Sequence, residues 1–185
     1  MKKIFVYDTE TTGLPNWKEP SESEVQPHLV QLAGVLVDFE TEEVIQSIDV
    51  IIKPDGWEIP TETSDIHGIT TEYALEHGVS EMFAVAMLKM ICGDATRIAY
   101  NKTFDQRIIR IAMKRYMSEE AIEQWAVKDD HLCAMQMARK HMGGKMPKLA
   151  EAYKAICGKE LINAHSAMAD TLAAKDIYLK LAKTL

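Results

Sequence analysis

Apolar residues cluster in three short runs near the start of the chain. Residues 3–8 (KIFVYD) are β-branched and aromatic, and residues 29–38 (LVQLAGVLVD) and 44–53 (VIQSIDVIIK) share that texture. Each run predicts a strand. The acidic turn DFETEE joins the second run to the third, so an antiparallel meander is expected. After Pro60 the period lengthens. Residues 70–77 and 80–92 predict helices, 96–100 (TRIAY) a strand, and 102–116 a helix with Phe104, Ile108, Ile111 and Ala112 on one face. A fifth strand is expected near 125–129, with helices over 130–141, 147–157 and 166–183. This order predicts one α/β domain over residues 1–185. Its sheet is mixed and five-stranded, a three-strand antiparallel meander plus parallel strands, flanked by helices.

One segment fits no period. Residues 15–28 (PNWKEPSESEVQPH) hold three prolines and three glutamates and predict a long exposed loop. Loops of that length in a compact domain are usually functional or mobile. Trp17 within it could stack on a base, but packing against the domain is the favoured reading. The methionines are expected to be core filler.

Composition adds bounds. With 185 residues, 47% hydrophobic and 26% charged, the chain is long and apolar enough for a sizeable core. The net charge of −7 argues against a broadly basic nucleic-acid-binding surface. That mean hides a polarised chain: residues 1–96 carry 5 Lys/Arg against 18 Asp/Glu, and residues 97–185 carry 16 against 10. Such asymmetry is expected of a solvated acidic face, or of an anionic partner or metal ions. Cys92, Cys133 and Cys157 have no metal-knuckle spacing and predict free thiols in a reducing cytoplasm. The apolar run before Asp8 is too short for a signal peptide, and no stretch approaches a membrane span.

Three motifs bear on chemistry. Asp8 and Glu10 sit two apart on the first strand, so their carboxylates project from the same face. Like charges that close are best relieved by a divalent cation with hard oxygen ligands, Mg²⁺ or Mn²⁺. A strand end turning into a solvated loop is the plainer alternative. In AYNKTFD, Asn101 is a good helix N-cap, which puts Asp105 in the first helical turns. In HSAMAD, His165 and Asp170 would lie about 140° apart on an ideal helix. Ser166 is therefore read as the N-cap and His165 as a loop residue, free to swing beside the carboxylates as a general base. A His four residues ahead of an Asp also occurs in some glycerolipid acyltransferases.

Taken together and in this order, Asp8, Glu10, Asp105, His165 and Asp170 resemble the DEDDh, or DnaQ-like, 3′–5′ exonuclease family, over about residues 3–182. Ile66-His67-Gly68-Ile69-Thr70 is similar to a segment of the family's proofreading members, the epsilon subunits of bacterial DNA polymerase III. Tyr100 departs from the family, where His often precedes the motif-two Asn, and loop 15–28 is longer than in the plainest members. The resemblance implies a ribonuclease-H-like fold and hydrolysis of a terminal phosphodiester of single-stranded DNA, with RNA or short oligonucleotides as the alternative substrate. It implies two divalent cations, Mg²⁺ or Mn²⁺. Asp8 would bridge both, Glu10 and Asp170 would complete one site, and Asp105 would hold the second. His165 would take the proton of the attacking water, and the product would be a nucleoside 5′-monophosphate. Thr11, Gly13 and Leu14 would line the terminal nucleotide, Glu62 and His67 would hold its sugar or base, and Asn101 would be structural or touch the backbone. A DNA polymerase or replication partner is implied for proofreading members. The chain stops at Leu185 without the C-terminal extension that docks them, so a free-standing nuclease is expected. A basic run on the motif-two helix (Lys102, Arg107, Arg110, Lys114, Arg115), or a second one at Arg139, Lys140, Lys145 and Lys148, is expected to face the phosphates of the incoming strand. A non-catalytic module on this fold and an acyltransferase remain the competing classes.

Overall fold

Strand β1 (Lys3–Thr11) lies at the centre of a five-stranded sheet because side chains on both of its faces are apolar. A computed structural model describes residues 2–183. β1 pairs antiparallel with β2 (Leu29–Asp38), which pairs antiparallel with β3 (Val44–Ile51). On its other edge β1 pairs in parallel with β4 (Thr96–Ala99), and β4 in parallel with β5 (His131–Cys133), giving the order β3-β2-β1-β4-β5. The predicted meander with parallel strands added is therefore the observed sheet. It has the ribonuclease-H-like topology expected.

The two faces of β1 bury different helices. Phe5 and Tyr7 pack with α3 (Glu81–Cys92), α4 (Lys102–Tyr116) and α5 (Glu119–Ala126). Ile4 and Val6 pack with α6 (Ala134–Met142), α7 (Leu149–Cys157) and α8 (Ala167–Ala182). Each fully buried side chain of this size contributes roughly 1.5–3 kcal/mol. Gly34 makes room on β2 for the neighbouring aromatic, since a Cβ there would come within 2.4 Å of Phe5 Cζ. Two short helices, α1 (Thr61–His67) and α2 (Thr71–His77), lie between β3 and α3 in the chain.

Several boundaries differ from expectation. The fifth strand is residues 131–133, not 125–129, and the helix after it starts at Ala134 rather than 130. Trp125 instead closes α5, where Ala121, Ile122 and Trp125 form one buried face and Ser118 caps the first turn. A three-residue strand is too short to display an alternation. Helix α1 was not expected, because none of its residues is buried and it has no apolar stripe. The first strand runs on from residue 8 to Thr11, with a register shift between Glu10 and Thr11. Among the methionines, Met135 and Met137 pack on the core as expected, whereas Met142 and Met146, like Met82 and Met90, are exposed. No helix among the described residues is long and apolar enough to cross a membrane.

Candidate active site

Asp8 and Glu10 extend the face of β1 that carries Ile4 and Val6, toward α8. Thr9, pointing the other way, reaches α4. Its backbone N–H and its Oγ1 both donate to Asp105 Oδ1, at 3.1 and 2.8 Å. One β1 residue thus fixes the motif-two carboxylate while its two neighbours present theirs. Asn101 and Ser166 occupy the N-cap positions of α4 and α8 as expected, but neither side chain makes a capping bond. At α8 the duty passes to Gln31 of β2. The Ala167 N–H donates to Gln31 Oε1 at 3.1 Å, and Gln31 Nε2 donates to Asp49 Oδ1 at 2.8 Å. Gln31 stands opposite Glu10 in the β1–β2 register. Sequence reasoning missed this residue.

His165 precedes α8 with a left-handed backbone, φ +68°. Non-glycine residues in that region cost roughly 1–2 kcal/mol and concentrate at functional sites. Its N–H donates to Asp170 Oδ2 at 3.3 Å. Ligand-bearing atoms of Glu10, His165 and Asp170 all lie within 4.8 Å of one another.

Burial, and for Asp8, Glu10 and Asp105 the neighbouring carboxylates as well, raises the pKa of all four groups. Burial, then Asp105, Asp170 and Glu10, push the Asp8 carboxyl far above the usual range. Burial, then Asp170 and Asp105, push Glu10 up to about 8. Burial pushes Asp105 up to about 7 against the pull of the Thr9 bonds. Burial also raises Asp170, opposed by the His165 N–H. None of the ion pairs among the described residues involves these four groups. Asp170 Oδ1 is buried with no hydrogen-bond partner. Uncompensated oxygens of this kind, converging with an imidazole, fit a hard divalent cation.

The remaining expected residues divide. His67 ends α1, and Gly68 follows it in a left-handed cap with φ +75°. The ring accepts from the Ile69 N–H through Nδ1 at 3.2 Å, and burial, then His165, push its pKa down. His67 thus feels the charge of His165 at the edge of the cluster. Thr11 Oγ1 donates to Gly13 O at 2.7 Å and accepts from the Gly13 N–H at 3.3 Å, forming the turn from which Leu14 projects, 81% exposed. Asn101 is exposed at the start of α4, and Glu62 is exposed in the first turn of α1 with no hydrogen bond among the described residues.

The side chains of the motif-two basic run are engaged within the chain. Arg107 donates to Glu19 O, Arg110 to Ser21 Oγ, and Arg115 to Gln26 O, Pro27 O and both oxygens of buried Glu81. Lys102 donates to His131 O, and Lys114 pairs with Glu119. These cations tie loop 15–28 and neighbouring elements to α4. In the second run, Lys140 and Lys145 stay exposed without an ion pair among the described residues. Trp17 is not packed against the domain as expected but is 57% exposed.

A family profile, RNase T, described as Exonuclease, matches residues 5–178. No curated protein is a significant match. Among solved structures, E. coli exonuclease I in complex with a dT13 oligonucleotide is similar at TM-score 0.77 and 24% identity over 100% of this chain. A zinc-bound form of the E. coli exonuclease I–single-stranded DNA complex matches at TM-score 0.77 and 24% identity, again over 100% of the chain. Exonuclease I from Methylocaldum szegediense matches at TM-score 0.77 and 20% identity over 99%. In each case the chain spans only 41% of the longer protein. At these identities the likeness establishes the fold.

Proposed function

Since this chain belongs to the RNase T exonuclease family, within the DnaQ-like 3′–5′ exonucleases, we propose that it removes nucleotides from the 3′ end of single-stranded DNA, as a single exonuclease domain. The observation that carries this reading is the cluster of Glu10, His165 and Asp170, whose ligand atoms lie within 4.8 Å of one another, with Asp8 and Asp105 electrostatically coupled to it and none of the four carboxylates in an ion pair among the described residues. The DNA oligonucleotides in the similar exonuclease I structures support DNA as the substrate.

The donor set fits Mg²⁺ or Mn²⁺, which Asp8, Glu10, Asp105 and Asp170 would hold. Such ions, when bound, neutralise the carboxylates, acidify a water and stabilise the leaving 3′ oxygen. The protein's own residues do the rest. Thr9 keeps Asp105 facing the site through two hydrogen bonds. Gln31 holds the start of α8, and with it Asp170, at the end of the sheet. His165 accepts the proton of the attacking water, whose oxygen bonds to phosphorus as the bond to the 3′ oxygen of the penultimate nucleotide breaks. A nucleoside 5′-monophosphate leaves. Leu14 wedges against the terminal base, and His67 and Thr11 border its sugar. Parallel digestion of DNA and RNA oligomers, with products resolved by chromatography, tests this. Nucleoside 5′-monophosphates from DNA are expected. Faster release from RNA would transfer the assignment to an exoribonuclease.

A further inference from the structure

Loop 15–28 is built stiff, yet it displays its largest apolar side chains to solvent. Gln26, only 2% exposed, sits inside it. Its Oε1 accepts from the Asn16 N–H at 3.0 Å, and its Nε2 donates to the carbonyls of Asn16, Glu19 and Pro20 at 2.9–3.2 Å. Those bonds frame Trp17 on both sides. The Lys18 N–H donates to Asn16 Oδ1, which closes a tight turn at the tryptophan itself. The stem is sealed by the Thr12 N–H on His28 O and the His28 N–H on Thr12 Oγ1, both at 3.0 Å. Arg107 and Arg110 then strap the loop to α4.

A loop so fully hydrogen-bonded cannot fold its apolar groups inward, and Trp17 and Val25 remain 57 and 65% exposed, next to Leu14 at 81%. Displaying them costs apolar burial, which a binding role explains. The location is constrained from two directions. Trp17 is seven residues past Glu10, at most roughly 25 Å of extended chain. It is also two residues before Glu19, whose carbonyl is held by Arg107, itself two residues past Asp105. Lys18, exposed beside it, supplies a positive charge suited to a phosphate.

We infer that Trp17, with Lys18, is a stacking subsite for a nucleobase of the single-stranded substrate upstream of the scissile nucleotide. This rests on the exonuclease reading above and deepens it. A flat indole on a prefixed loop stacks on any base without reading its identity, so the subsite favours unpaired over duplex strands.

The test compares two substrates. The p-nitrophenyl ester of thymidine 5′-monophosphate has no upstream nucleotide, and a DNA hexanucleotide has five. Trp17→Ala should raise KM for the hexanucleotide roughly 5- to 150-fold, the range for losing one base–aromatic stack, and leave the ester unaffected. Trp17→Phe should restore most of the loss. An unchanged KM for the hexanucleotide overturns the subsite and leaves the nuclease reading standing, with a protein partner as the face's other occupant. An equal loss on both substrates overturns it as general damage. Failure of the wild-type protein to cleave either substrate defeats the exonuclease reading itself.

Discussion

The backbone N–H of Ala167, first residue of the helix that carries Asp170, donates to the side chain of Gln31, which lies 136 residues earlier in the chain and opposite Glu10 in the sheet. A glutamine of β2 thus performs the capping that Ser166 leaves undone. Gln31→Ala should free the start of α8 and let Asp170 and His165 drift. Loss of such an outer support typically costs roughly 10–100-fold in activity or metal affinity. The expected result is a fall in kcat and weaker Mn²⁺ binding with little change in KM for DNA. A rise in KM for DNA with kcat and Mn²⁺ binding unchanged would contradict the supporting role.

The carboxylate cluster sets stability against function. Asp8→Asn should abolish turnover, because the carboxylate proposed to hold the divalent cations is gone. It should also raise the melting temperature of EDTA-treated protein, since burial and three neighbouring carboxylates already oppose the Asp8 charge. Relief worth about 1 kcal/mol would appear as a rise of roughly 2–4 °C. Mg²⁺ or Mn²⁺ should raise the melting temperature of the wild-type protein and not that of Asp8→Asn. Calorimetry with and without EDTA checks all three outcomes.

Glu81 links the base of the long loop to two helices. Buried beneath Arg115, it accepts two bonds from that guanidinium, one from the Leu29 N–H and one from Tyr116. Burial alone would raise its pKa, but the His28 and Arg115 contacts more than offset this and hold it low. Glu81→Ala leaves Arg115 facing an uncharged gap and should cost roughly 3–5 kcal/mol, the range for breaking a buried pair. Urea unfolding midpoints measure it.

How much of this was legible in the sequence depends on range. Asp8 and Glu10 follow from strand alternation, and Asp105 and Asp170 from helix starts, because each relation spans a few residues. The role of Gln31 depends on the β2 register and on where α8 returns 136 residues later, and no local pattern encodes that. The arginines of α4 showed as charge, but the partners of Arg107 and, in part, of Arg115 are loop carbonyls, which carry no sequence signal. The segment 125–129 misled because the apolar Trp125-Ala126-Val127 suits a strand as well as the end of an amphipathic helix.

His131 makes stability depend on pH at the sheet's far edge. Burial first, then the charges of Arg97 and Lys102, push it down to about 4 from 6.5, while the Trp125 carbonyl opposes them. The unfolded chain therefore takes up this proton before the folded one does. The contribution is complete above pH 6.5 and is lost as pH falls toward 4. Between pH 7 and 5 it should amount to roughly 2 kcal/mol. The loss should be seen in wild-type denaturant midpoints and be absent from His131→Asn.

The central claim is that Asp8, Glu10, Asp105, His165 and Asp170 form one metal-dependent 3′–5′ nuclease site. A digest of single-stranded DNA labelled at either end, with Mg²⁺, Mn²⁺ or EDTA, tests it most directly. The account predicts immediate release of a labelled mononucleotide from the 3′-labelled strand and a progressively shortening ladder from the 5′-labelled one. Both should disappear with EDTA and in Asp170→Ala. Cleavage that persists in EDTA, or near-wild-type turnover by Asp170→Ala, would contradict it.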